Sequence, residues 1–190
     1  MTLVTVSNER PPLLPDREWT VDDLANLPDD GLRYELFDGV LVVSPWPFPS
    51  HQRAVMELAY LLRQNCPTEL AVFPAPLDFQ PTRRRSFQPD VLVARREDID
   101  YQRPLRAPLV LAVEVLSDST ASKDQLFKRG IYADSGVEHF WIFDPRVPSF
   151  VAYELRNKQY DEVVATKGDE VAEVTAPYPV RICPAEIVQG

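Results

Sequence analysis

Two short runs constrain this chain more than anything else in it. Pro89-Asp90-Val91-Leu92-Val93-Ala94 and Leu109-Val110-Leu111-Ala112-Val113-Glu114-Val115-Leu116 are apolar except for one carboxylate each. A run that is apolar at both alternating positions suits a strand covered on both sides of a sheet. Such strands need a layer above and a layer below, which points to an α/β architecture. They also pose a chemical problem. An ionised carboxylate in a buried strand is costly unless it is paired or binds a metal. For two on neighbouring strands, the simplest shared solution is one cation between them. Isolated salt bridges, or strand ends that reach solvent, are the alternatives. With no His or Cys nearby, hard oxygen ligands favour Mg2+ or Mn2+ over zinc.

The rest of the chain fills in an α/β fold with a mixed sheet. Residues 1–18 carry Pro11, Pro12 and Pro15 and read as an extended N-terminal arm, with 19–190 a single domain. Trp19 to Leu24 reads as a short helix, with Thr20 at the N-cap, Asp23 in capping-box position and Trp19 able to staple onto Leu24. Tyr34–Phe37 and Val40–Ser44 flank Asp38-Gly39, a strong hairpin signal because both central residues of a type I′ turn need positive φ. From His51 to Gln64, Ala54, Val55, Leu58, Ala59 and Leu62 recur at helical spacing. Leu70–Phe73 and Leu77–Gln80 are further strand candidates. A second long helix fits Lys123–Asp134, with Ser122 and Gln125 at capping-box spacing and Gly136 at its exit. Glu138–Phe143 is a strand closed by Asp144-Pro145. Beyond Phe150, Val151–Leu155, a turn at Arg156-Asn157-Lys158, and Gln159–Val164 make a β-rich C-terminal extension.

Composition excludes some functions. Twenty basic against 29 acidic residues give −9, wrong for a protein whose main task is coating nucleic acid. An enzyme with a local basic patch remains open. Arg83-Arg84-Arg85 and Arg95-Arg96 read equally as phosphate contacts or as a solvated loop. Cys66 and Cys183 stand in no ligand spacing and read as reduced, packed thiols, which suits a cytoplasmic protein. No secretory signal is visible, and the longest clean apolar run, Leu109 to Val113, is too short to span a bilayer, so no membrane role is expected. No Gly-rich phosphate loop, nucleophile elbow or zincin helix is present, and His51 and His139 have no evident nucleophile partner.

Five other residues stand beside the two carboxylates. Asp124, Lys128 and Tyr132 recur every four residues on one helix face, and on spacing alone Asp124 and Lys128 read as a surface ion pair. Glu35 in the first hairpin strand reads as a site acid or as half of a cross-strand pair with Arg33 or Arg53. His51 reads first as a core or capping histidine, with a site role as the alternative.

Taken in order, Tyr34-Glu35-Leu36-Phe37-Asp38-Gly39, His51, Pro89-Asp90-Val91, Val113-Glu114-Val115-Leu116-Ser117, Asp124…Lys128…Tyr132 and Gly136-Val137-Glu138-His139-Phe140-Trp141-Ile142-Phe143-Asp144-Pro145 resemble the Uma-type family. These are bacterial proteins grouped with restriction endonucleases, long catalogued as a domain of unknown function, within the PD-(D/E)XK nuclease superfamily. The likeness covers roughly residues 18 to 165. It implies a restriction-endonuclease-like fold, a central mixed sheet flanked by helices. It implies that Asp90 and Glu114 bind the metal, with the Val115 carbonyl as a third ligand. It implies that Glu35 is the family's early acid, holding the metal through water or holding a second one. The superfamily's lysine usually lies two residues after the second acid, where this chain has Leu116. The resemblance moves that role to Lys128 on the following helix, with Lys123 the weaker candidate.

The expectation that follows is a Mg2+-dependent endonuclease cleaving phosphodiester bonds of DNA, with Glu35, Asp90, Glu114 and Lys128 as catalytic residues. A homodimer is expected, because restriction-type nucleases often pair to cut both strands. Two alternatives stand: a decayed nuclease-fold domain serving as a nucleic-acid-binding or protein-interaction module, and a phosphodiesterase of small nucleotides.

Overall fold

The structure is a computed structural model that describes residues 18–45, 47–117 and 123–189, with the backbone alone over 123–126. The expected N-terminal arm and the Ser122 cap lie outside the described residues.

The chain opens with a one-turn helix, α1 (Val21–Leu24), where the Asp23 carboxylate accepts the Thr20 N–H at 2.8 Å. The hairpin β1 (Arg33–Phe37) and β2 (Val40–Ser44) turns at Asp38 and Gly39 with φ of 49° and 85°. These are the positive angles that Asp-Gly was expected to supply. Helix α2 (Pro49–Asn65) follows, then β3 (Leu70–Pro74), β4 (Phe79–Thr82), β5 (Arg85–Phe87), β6 (Val91–Arg95) and β7 (Leu111–Val115). Helix α3 (Lys123–Asp134) leads to β8 (His139–Asp144), β9 (Ser149–Arg156), β10 (Gln159–Lys167), β11 (Ala172–Val174), β12 (Val180–Ile182) and α4 (Pro184–Gln189).

Six strands form the main sheet in the order β10-β9-β8-β7-β6-β3. Only β7 and β8 are parallel, so the sheet is mixed. Parallel neighbours need a crossover, and α3 provides it. Strands β6 and β7 are interior, as their apolar runs require. Alternation then divides the core in two. Val91, Val93, Leu111, Val113 and Val115 face α2, where Ala54, Val55, Leu58 and Leu62 cover them. Leu92, Ala94 and Ala112 face the other way, onto Ile131 and Tyr132 of α3 and onto Phe37, Phe79 and Phe87 of the second sheet. Leu58 and Leu62 are fully buried, and each contributes about 1.5–3 kcal/mol of apolar burial.

The second sheet has four strands in the order β2-β1-β5-β4. Its β5 begins at Arg85, inside the stretch read from sequence as a loop of three arginines. The β-rich tail returns to the main core. Val180 and Ile182 of β12 and Ile187 of α4 join the α2 side, and the Tyr178 hydroxyl donates to the Leu62 carbonyl at 3.0 Å. Among the described residues, no helix is long and apolar enough to cross a membrane.

Candidate active site

Glu35, Asp90, Glu114 and Lys128 come from β1, the residue before β6, β7 and α3, and they meet in one buried cluster. Their residues are only 2%, 3%, 7% and 8% exposed, respectively. Each arrives for a local reason. Alternation along β1 puts Arg33 and Glu35 on the same face, and the strand pairs with β5. Strands β6 and β7 pair antiparallel with Val91 opposite Val113, so one further step brings Asp90 beside Glu114. Asp90 itself lies just outside the strand that sequence had placed it in. Glu114 points to the α3 side of the sheet, where Lys128 and Tyr132 stand one turn apart. That face was read from spacing as a surface pair; it is instead turned inward.

The contacts are dense. Lys128 Nζ lies 3.0 Å from Glu114 Oε2 and 3.6 Å from Glu35 Oε2. The Tyr132 hydroxyl donates to Glu114 Oε1 at 2.6 Å. Arg33 bridges two acids, with Nη2 3.1 Å from Glu35 Oε1 and Nη1 3.2 Å from Asp90 Oδ1. The Gln88 N–H donates to Glu35 Oε1 at 3.0 Å. Asp90 Oδ2 accepts the Val115 N–H at 2.8 Å and faces His51 Nε2 at 3.2 Å. Five of the six carboxylate oxygens in the cluster therefore have a partner within 3.2 Å, and Glu35 Oε2 has the longer ion pair with Lys128.

Electrostatics separate the three acids. Burial pushes all three carboxyls up. In Glu35, the charges of Lys128 and Arg33 more than offset burial and hold it below the usual range. In Asp90, the His51 contact and the Arg33 charge do the same. Glu114 stays raised, because burial and the Asp90 charge outweigh Lys128. Lys128 is raised against its own burial by Glu114 and Glu35, and so keeps its charge. Tyr132 is raised by burial and by Glu114, and stays a protonated donor.

Sequence reasoning named three further members of this cluster without finding the contacts they make. Arg33 was named as a cross-strand partner of Glu35, yet it pairs along the same strand and reaches Asp90 as well. The i,i+2 spacing of Arg33 and Glu35 on a strand was the available signal. His51 is not merely a core residue; it touches Asp90. Tyr132 was placed on the right helix face without a partner. The arginine cluster is committed locally: Arg83 to Asp22, Arg84 to Glu18 and the Asp38 carbonyl, Arg85 to Asp38, and Arg95 to Glu138. The side chain of Lys123 lies outside the described residues.

A divalent ion suits the donor chemistry. Asp90 and Glu114 offer hard carboxylate oxygens on adjacent strands, and Mg2+ commonly takes only one or two carboxylates beside water and substrate oxygens. Among the described residues, however, no three His, Cys, Asp or Glu side chains stand as a ready-made metal cage. An ion held here would use the two acids and main-chain or solvent oxygens, and would have to compete with the resident cations.

Comparison with known proteins bears on the fold and the family. No curated protein matches the chain. Five solved chains match it. One is the DUF820 protein from Anabaena variabilis ATCC 29413, described as a "putative nuclease". It superposes with a TM-score of 0.69 over 90% of this chain and 97% of that one, at 17% identity. That likeness shows the fold, which is restriction-endonuclease-like, as the sequence implied. The family model named Uma2, described as "Putative restriction endonuclease", matches residues 21–184. With nearly the whole chain matched, the protein belongs to the Uma2 family.

Proposed function

We propose that this protein is a Mg2+-dependent endonuclease that hydrolyses phosphodiester bonds of DNA. One observation carries the reading: three acids from separated segments meet in one buried cluster with a lysine, with Lys128 Nζ at 3.0 and 3.6 Å from Glu114 and Glu35 and with Asp90 joined to Glu35 through Arg33. Buried carboxylates gathered around a lysine suit the hydrolysis of an anionic phosphodiester.

In this reading Asp90, Glu114 and the Val115 carbonyl hold the metal. Bound Mg2+ supplies Lewis acidity toward the phosphoryl group. The chain's own groups do the rest. The Val115 N–H fixes Asp90, and the Tyr132 hydroxyl fixes one oxygen of Glu114. Lys128 orients the attacking water and stabilises charge that develops on the phosphate oxygens. Glu35 holds Lys128 through a second, longer ion pair. Asp90→Asn and Glu114→Gln each abolish Mg2+-dependent cleavage of DNA while the fold persists by circular dichroism. Lys128→Met lowers the rate on the order of 10²–10³-fold. Unchanged cleavage by both acid variants would falsify the proposal.

Cutting both strands of a duplex calls for two such sites, so the proposal includes a homodimer. Light scattering then gives about twice 21.7 kDa. A monomer mass under cleavage conditions removes the paired cut.

A second reading has one observation in its favour. The acids of the cluster are already paired with resident cations, with no ready-made cage among the described residues. A decayed nuclease-fold binding domain would look the same. Calorimetric titration separates the two: Mn2+ binding lost in Asp90→Asn belongs to the enzyme, and no binding at millimolar Mn2+ belongs to the decayed domain.

A further inference from the structure

The mechanism above gives Arg33 no task, yet its guanidinium holds the centre of the cluster. Nη1 sits on Asp90 Oδ1 at 3.2 Å and Nη2 sits on Glu35 Oε1 at 3.1 Å, with the side chain 15% exposed. The two oxygens of Asp90 are not equivalent. Oδ2 already takes the Val115 N–H at 2.8 Å and faces His51 Nε2 at 3.2 Å. A carboxylate oxygen has about two acceptor positions, so Oδ2 is full. Oδ1 has room, and Arg33 is the group that occupies it.

Charge leads to the same place. Arg33 and Lys128 stand against Glu35, Asp90 and Glu114, which leaves the five groups at −1 when all are ionised. A divalent ion turns that into +1. In a buried site, like charges a few ångströms apart repel strongly. Lys128 is tied to two acids and approaches the Phe37 ring at 5.9 Å. Arg33 carries an Nε with no hydrogen-bond partner among the described residues.

We infer that Arg33 is a resident counter-ion that competes with the divalent metal for Asp90 Oδ1, so that metal entry requires Arg33 to leave that oxygen. The inference rests on the proposal that this cluster binds a metal. It sets Arg33 apart from a structural ion pair. Removing a structural partner would loosen the site and weaken metal binding. Removing a competitor strengthens it.

The test is calorimetric titration of the full chain with Mn2+, alongside the thermal shift that Mn2+ produces. Arg33→Gln is expected to bind Mn2+ about tenfold or more tightly than the parent chain, the equivalent of one charge-assisted hydrogen bond no longer broken on entry. It melts lower without metal and gains more from Mn2+ than the parent does. Arg33→Lys keeps the charge but a single ammonium cannot bridge two carboxylates as the planar fork does, so its Mn2+ affinity falls between the two. Should Arg33→Gln not fold, Arg33→Lys decides alone. Arg156→Gln, which removes a charge at the exposed end of β9, leaves the affinity unchanged. Equal or weaker Mn2+ binding in the folded Arg33 variants, with the parent still binding, overturns the role of Arg33 and spares the metal site. No Mn2+ binding by the parent or by either Arg33 variant overturns the metal reading and this inference together.

Discussion

At the scale of single residues, Tyr132 shows how the cluster is held. Its ring packs against Phe87 and Phe140, with centroids 5.4 and 5.2 Å away, and its hydroxyl donates to Glu114 Oε1. Tyr132→Phe keeps the ring contacts and removes the donor alone. The buried carboxylate oxygen then loses its partner, which costs about 1–3 kcal/mol in a urea unfolding curve. If Glu114 ligates a metal, Tyr132 is its outer-shell support, and Mn2+ affinity drops by roughly 10–100-fold. An unchanged unfolding midpoint would show that Glu114 does not depend on this bond. Sequence made part of this visible. Asp90 and Glu114 stood out because carboxylates are rare in apolar strands, a local signal. Lys128 did not, since spacing alone cannot say whether a helix face meets solvent or a sheet. Arg33 and His51 were hidden for the same reason. Their partner Asp90 lies 57 and 39 positions away, and only the assembled fold brings them together.

At the scale of elements, periodicity and turn chemistry carried most of the outline. The α3 range agrees with its expected bounds, and its exit is the expected glycine, with Gly136 at φ 76° and the Val137 N–H on the Tyr132 carbonyl at 3.1 Å. The short strands β4 and β5 were displaced or unseen, because they are four and three residues long and owe their existence to pairing with each other and with β1. No local pattern of that length distinguishes a strand from a loop. Strand β8 offers an element-level prediction. Burial pushes His139 below the ordinary imidazole value, only partly opposed by Glu154 and Glu138. The unfolded chain takes up a proton near pH 6.5 that the folded chain resists. The contribution of neutral His139 is thus present above about pH 6.5 and lost as pH falls through its lower folded value. Stability of the parent chain declines over that interval more steeply than that of His139→Gln, measured by urea midpoints at matched salt. Parallel pH profiles for the two proteins would remove His139 as the cause.

At the scale of the whole molecule, the question is whether the β-rich tail is an appendage or part of the same unit. From sequence it read as an extension, because alternation beyond Phe150 says nothing about which core it joins. In the structure its apolar side chains enter the α2 side of the main sheet: Val174, Tyr178, Val180, Ile182 and Ile187 share one core with Leu58, Val113 and Trp141. The Tyr178–Leu62 hydrogen bond ties it to a helix 116 positions earlier. Shared burial of this kind couples elements, because losing the tail uncovers α2 and the strands beneath it. We therefore propose that residues 19–190 unfold as one cooperative unit. Far-ultraviolet circular dichroism and the fluorescence of the fully buried Trp141 should report the same midpoint in a urea titration. Ile187→Ala, at the far end of the tail, should then lower both signals together, by about 2–5 kcal/mol. Two resolved transitions, or an Ile187→Ala shift confined to the circular dichroism signal, would make the tail a separate unit docked on a nuclease-like core.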